Sequence, residues 1–162
     1  MRCVGHLFGV KTMQNLSVSW STSRGVNSYG WNICRLDDNR TGKRYRTCGG
    51  GYDMIGTVLG EWLADVYQDR LRIIGDKAGS YYSKAGGYHS HRTEDGRNPA
   101  RGYYYGMTRN DDTGRITLDG ACGSSTMRGI AKAIGVTLTS YCDKKGRVLG
   151  YFISDTSQQV AA

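Results

Sequence analysis

Apolar residues recur at two different periods along this chain, and the switches between them mark out its elements. In residues 14–21 (Gln-Asn-Leu-Ser-Val-Ser-Trp-Ser) apolar and polar positions alternate, so Leu16, Val18 and Trp20 share one face of a strand. Residues 29–36 and 43–48 read as the arms of a hairpin around Asp37-Asp38-Asn39-Arg40-Thr41-Gly42. Asp and Asn start such turns, and Gly42 supplies the positive φ that closes them. After Cys48-Gly49-Gly50-Gly51 the period changes. Met54, Ile55, Val58, Leu59, Trp62, Leu63, Val66 and Tyr67 recur at helical spacing, which predicts one helix over 53–72 with Asp53 as its N-cap. Glu61, Asp65 and Asp69 form an acidic stripe on another face of that helix, expected to be solvated.

Residues 75–101 are polar and glycine-rich and read as a long inserted loop. A second strand–turn–strand follows, over 103–108, Arg109–Gly114 and 115–119. Cys122-Gly123-Ser124-Ser125-Thr126 then leads into a short helix whose buried face is Met127, Ile130, Ala131 and Ile134, with Gly135 as its stop. A last hairpin, 136–142 and 147–153, flanks Asp143-Lys144-Lys145-Gly146, and 154–162 reads as a frayed tail. Asp37–Lys43 matches Arg109–Arg115 at an offset of 72, and Met54-Ile55-Gly56 matches Met127-Arg128-Gly129 after a one-residue slip. This suggests an internal duplication of units 29–72 and 102–135. The expected fold is one α+β domain over residues 1–162: an antiparallel sheet of about 6–8 short strands with two helices, built on a duplicated hairpin–glycine loop–helix unit.

Composition narrows the class. There are 24 glycines and a single proline, Pro99, a balance that suits tight turns and close backbone contacts rather than disorder. No run of 18 apolar residues occurs, so no membrane span is expected. The first residues lack the pattern of a signal peptide. Five widely spaced cysteines, Cys3, Cys34, Cys48, Cys122 and Cys142, are then expected as reduced thiols in a cytoplasmic setting.

The formal charge of +8 is uneven: +6 in residues 1–52, −3 in 53–76, +4 in 77–109 and +1 in 110–162. Such a basic excess favours a polyanionic partner. Arg35, Arg40, Lys43, Arg44 and Arg46 crowd the first hairpin around Tyr45. A two-stranded ribbon of that kind fits the DNA major groove, arginine forks suit phosphate, and Tyr45 could stack on a base. Lys144, Lys145 and Arg147 decorate the last turn as a second basic set. The competing reading is a charged edge that resists sheet aggregation.

Other chemistry is thinner. The glycine loops, Gly49, Gly50 and Gly51 before one helix and Gly123 and Ser124 before the other, could offer backbone N–H groups to an anion or nucleotide. They complete neither a P-loop nor a dinucleotide fingerprint. His89 and His91, with Cys3 and His6, match no standard zinc spacing. Cys34 and Cys48 would lie close across a hairpin centred near residue 41, as a cross-strand disulfide, half a metal site or, most simply, buried free thiols. No nucleophile elbow, metalloprotease helix or kinase signature occurs, so no enzyme, metal or cofactor is expected.

Two stretches, Cys48–Leu63 and Ile116–Gly135, resemble small accessory proteins of tailed bacteriophages that have no established activity. The resemblance implies a phage protein made in the host bacterial cytoplasm, where such proteins bind DNA, host enzymes or defence complexes. Residues and resemblance together suggest a non-enzymatic protein that contacts nucleic acid through its basic hairpin. The alternatives are an inhibitor that binds a host nucleic-acid-processing or defence protein, and an anion- or nucleotide-binding module using the glycine loops.

Overall fold

The computed structural model describes residues 14–24, 30–49, 54–78, 106–120 and 123–156. In chain order these form β1 (Asn15–Arg24), β2 (Gly30–Asp38), β3 (Lys43–Gly49), α1 (Met54–Val66), α2 (Gln68–Ala78), β4 (Met107–Arg109), β5 (Ile116–Leu118), α3 (Ser124–Ala133), β6 (Val136–Cys142) and β7 (Val148–Asp155). The fold is α+β. β1, β2, β3, β6 and β7 make an antiparallel sheet in the order β3-β2-β1-β7-β6, while β4 and β5 pair separately.

Alternation decides which strand face is buried. Leu16 and Val18 of β1, Cys34 and Leu36 of β2, Tyr45 of β3, Val136 and Leu138 of β6, and Tyr151 and Ile153 of β7 all turn to one side. There they meet Val58, Leu59, Trp62 and Leu63 of α1, Leu71 of α2 and Met127, Ile130 and Ala131 of α3. The four expected apolar residues of the last helix, Ile134 included, are all buried.

Three expectations about elements are corrected. The single helix over 53–72 is two helices meeting at Tyr67, and α2 runs to Ala78, into the segment read as loop. The cause is Gln68. Its side-chain Nε2 donates to the Ala64 carbonyl (2.5 Å), the oxygen that its own backbone N–H would otherwise take, and a side chain inserted in this way breaks a helical ladder. The same side chain also donates to the Ile116 carbonyl (2.7 Å) and accepts from the Ile116 N–H (2.9 Å), tying β5 to the helix junction. Next, β2 runs through Asp37 and Asp38, so the turn is Asn39–Gly42. Finally, β7 runs to Asp155, which belongs to the sheet rather than to a frayed tail. Asp53 and residues 79–105 lie outside the described residues.

The matched turns do share one geometry. Asp38 and Asn110 each accept a backbone N–H two residues on (2.9 Å in both), Thr41 and Thr113 each accept one at 3.2 Å, and Gly42 and Gly114 sit at φ +77° and +72°. Beyond the turns the surroundings differ. The β2–β3 hairpin belongs to the large sheet and the β4–β5 hairpin does not. Gly56 is wedged against the Gly120–Ser124 backbone, whereas its counterpart Gly129 has nothing within 4 Å of a Cβ position.

One cysteine differs from expectation: Cys142 is disulfide-bonded, while Cys34 and Cys48 are reduced thiols as expected. The hairpin register pairs Arg35 with Arg46, so Cys34 opposes Thr47 and Cys48 opposes Ile33. One residue of register separates this from a turn centred near 41, and one residue turns a side chain to the opposite face. Cys34 is therefore buried and Cys48 exposed, on opposite sides of the sheet.

Candidate nucleic-acid interface

All the helices among the described residues pack on one face of the large sheet, and none packs on the other. Period two assigns Ser17 and Ser19, Arg35 and Asp37, Arg44 and Arg46, Thr139 and Tyr141, and Phe152 to the helix-free face. One ladder row crosses all five strands there: Arg44, Asp37, Ser17, Gly150 and Tyr141 are successive partners. The neighbouring row runs Arg46, Arg35, Ser19.

The predicted basic cluster is divided by the sheet. Arg35, Arg44 and Arg46 lie on the helix-free face. Arg44 Nε is 2.7 Å from Asp37 Oδ1. Arg35 and Arg46 stand directly opposite each other with no carboxylate against either among the described residues. Cross-strand partners of this kind have Cβ atoms about 4.5–5.5 Å apart, and like charges there repel.

Arg40, Lys43 and Tyr45 do not join them. Asp38 is fully buried on the helix side, where it accepts from Trp62 Nε1 (2.9 Å), the Arg40 N–H (2.9 Å) and Arg40 Nε (3.3 Å). Burial pushes the Asp38 carboxyl up, but the bonds from Arg40 and Trp62 outweigh it and hold the group below the usual carboxylate range. Arg40 also donates to Tyr67 Oη (3.2 Å) and lies over the Trp62 ring at 5.7 Å. Lys43 Nζ and Tyr45 Oη both donate to Asp65 Oδ2 at 2.5 Å. These bonds hold the Asp65 carboxyl down, while burial together with the Asp65 carboxylate pushes the Tyr45 phenol well above its usual value. The acidic stripe of the helix is thus partly spent on β3 rather than solvated. Tyr45 is buried and cannot stack on a base.

At the β6–β7 turn, Arg147 Nε pairs with Asp143 at 2.9 Å, and Lys144 and Lys145 are exposed. Strand direction puts this turn at the same end of the sheet as Arg46.

The glycine turn before α3 packs against α1. Gly123 caps α3 without a side-chain bond; its N–H donates to the Gly120 carbonyl (2.9 Å) and its carbonyl accepts from Met127 (3.1 Å). A Cβ on Gly56 would strike the Gly120 carbonyl and come within 2.9 Å of Ser124 N. The start of α3 is therefore closed by α1. Gly49 ends β3, and Gly50 and Gly51 lie outside the described residues, as do His89, His91, Cys3 and His6. Among the described residues no group of His, Cys, Asp or Glu could hold a metal ion, and no helix is long and apolar enough to cross a membrane.

A cleft of about 500 Å³ opens beside Arg40, Tyr67 and Arg70. Both guanidiniums are engaged, Arg70 by a two-pronged bond to Asp155 at 3.0 and 3.1 Å. A second cleft, of about 310 Å³, lies between α1 and β3 and is lined by Lys43, Tyr45, Glu61, Asp65 and Arg115.

Reading the sequence missed Tyr141 and Phe152 on the helix-free face. The signal is present: Thr137, Thr139 and Tyr141 alternate with Val136 and Leu138, which places Tyr141 on the polar side. Compared with known proteins, the chain matches no protein-family model, no curated protein and no solved structure.

Proposed function

We propose that this is a non-enzymatic binding protein that contacts nucleic acid through the helix-free face of its sheet, by way of Arg35, Arg44 and Arg46, with Lys144 and Lys145 flanking. The observation that carries the reading is the facing pair Arg35 and Arg46. Two guanidiniums held side by side repel, and an anion between them relieves that repulsion. On the helix side Arg40 and Lys43 are paired with Asp38 and Asp65.

Within this proposal the bacteriophage accessory role is the biological setting. The disulfide at Cys142 favours an oxidising compartment over the reducing cytosol expected from the sequence.

Salt-titrated binding tests it. Each phosphate contact contributes about 0.7–0.9 to the slope of log K against log salt, so the double variant Arg35→Ala/Arg46→Ala should lower that slope by about 1.4–1.8. Lys43→Ala, on the other side of the sheet, should leave it unchanged. An unaltered slope in the arginine double variant removes the reading.

A further inference from the structure

The helix-free face also bears on which form of nucleic acid it takes, an inference that rests on the reading above. A two-stranded ribbon standing alone could enter a duplex groove, but this hairpin is built into a sheet. β2 is bonded to β1 and β3 along its length, and the row from Arg44 to Tyr141 crosses four inter-strand steps. At about 4.8 Å a step the face is about 19 Å wide along this row, against roughly 12 Å for the major groove of B-DNA. A five-stranded row of that width cannot be inserted there. It can instead lie under a strand whose bases are splayed out.

The face is also polar in a chemical sense. Its arginines stand on β2 and β3, and its aromatic rings stand on β6 and β7. Tyr141 and Phe152 pack at 4.8 Å between centroids with their planes tilted by 40°. Tyr141 is locked in place. Its hydroxyl accepts from Asn15 Nδ2 at 2.8 Å, and its ring covers Gly150 so closely that a Cβ there would come within 2.5 Å of Tyr141 Cζ. Phe152 leans on this fixed ring, half-buried, opposite Thr139. No helix among the described residues covers it. An aromatic ring already ordered by its neighbours loses little entropy when a base stacks on it, and stacking tolerates any base because each has a π-face.

We propose that the occupant is a single-stranded polynucleotide, its phosphates held at Arg35, Arg44 and Arg46 and one of its bases stacked on Phe152. The arginines then supply salt-dependent affinity and the ring supplies a salt-independent part. The preference for single strands over duplex comes from the ring, because bases within a duplex present no free face.

Fluorescence anisotropy of the full chain with a labelled oligo(dT) of about 12 nucleotides, and with a duplex of equal length, tests this. The single strand should bind at least tenfold tighter than the duplex. Phe152→Leu keeps an apolar side chain and removes the π-face. It should weaken oligo(dT) binding by about 5- to 150-fold, the range for losing one stacked base, and leave the salt slope unchanged. Phe152→Trp should retain or tighten binding. Duplex bound as tightly as the single strand, or unchanged affinity in Phe152→Leu, overturns the single-strand proposal. If the slope still falls in Arg35→Ala/Arg46→Ala, the nucleic-acid reading survives that result. Absence of binding to either probe overturns both.

Discussion

Replacing Asp38 by Asn tests the most consequential polar contact in the fold. The carboxylate is fully buried and accepts from the Trp62 indole and from Arg40 through both backbone and side chain. Asn has nearly the same shape, but it carries no charge and must aim an NH2 group at one of these donors. Removing one partner of a buried ion pair costs about 3–5 kcal/mol. Arg40 keeps 16% side-chain exposure, so water takes up part of its charge. The expected cost therefore falls at the low end, about 3 kcal/mol. In a chain of this size each kcal/mol moves Tm by roughly 2–4 °C, so the variant should melt about 6–12 °C lower, with a lower urea midpoint and an unchanged m-value. The effect has a pH signature. Folding lowers the Asp38 pKa, so its contribution is present in full above about pH 4, the unfolded value, and is lost as pH falls through the folded value. The stability gap between the native chain and Asp38→Asn should be constant from pH 7 to about 5 and should shrink below about pH 4. A cost under about 1 kcal/mol at neutral pH, or a gap as wide in acid as at pH 7, would refute the claim that hydrogen bonds outweigh burial at this site.

Two further outcomes follow from positions where sequence and structure part. Gly56 and Gly129 align as equivalents, yet Gly56→Ala should destabilise by about 1–3 kcal/mol by driving a Cβ into the Gly120 carbonyl. Gly129→Ala, in open space on a helix, should stabilise by about 0.4–1 kcal/mol; equal effects of the two in chemical denaturation would contradict the packing described. Mass-mapped alkylation of the native protein should modify Cys48 quickly, Cys34 only on unfolding, and Cys142 only after reduction. Rapid labelling of Cys34 would show that the register places it wrongly.

β1, the arms of the β2–β3 hairpin, α3 and the core of the last hairpin were legible because each depends on residues a few positions apart. Leu16 and Val18 alternate with serines, Gly42 takes its positive φ, and Met127, Ile130, Ala131 and Ile134 mark one helical stripe. The helix break at Tyr67 was not legible, since the Gln68 side chain that takes the Ala64 carbonyl is also bonded to Ile116, 48 residues away. The basic hairpin was legible only as composition. Reading it as one surface placed Arg40, Lys43 and Tyr45 beside Arg35, Arg44 and Arg46, although alternation and the turn put them on different sides of the sheet.

Local order along the chain therefore determined what the pieces are, their periods, their turns and the side chains each strand sets apart. Tertiary structure alone decided which side of the sheet receives the helices. That choice neutralises Lys43 with Asp65, 22 residues on, seals Asp38 against Trp62, 24 residues on, and leaves Arg35 facing Arg46 on the helix-free face. The physical reason is that charge and burial are set by neighbours in space, and strand order and register bring those neighbours together across long stretches of chain.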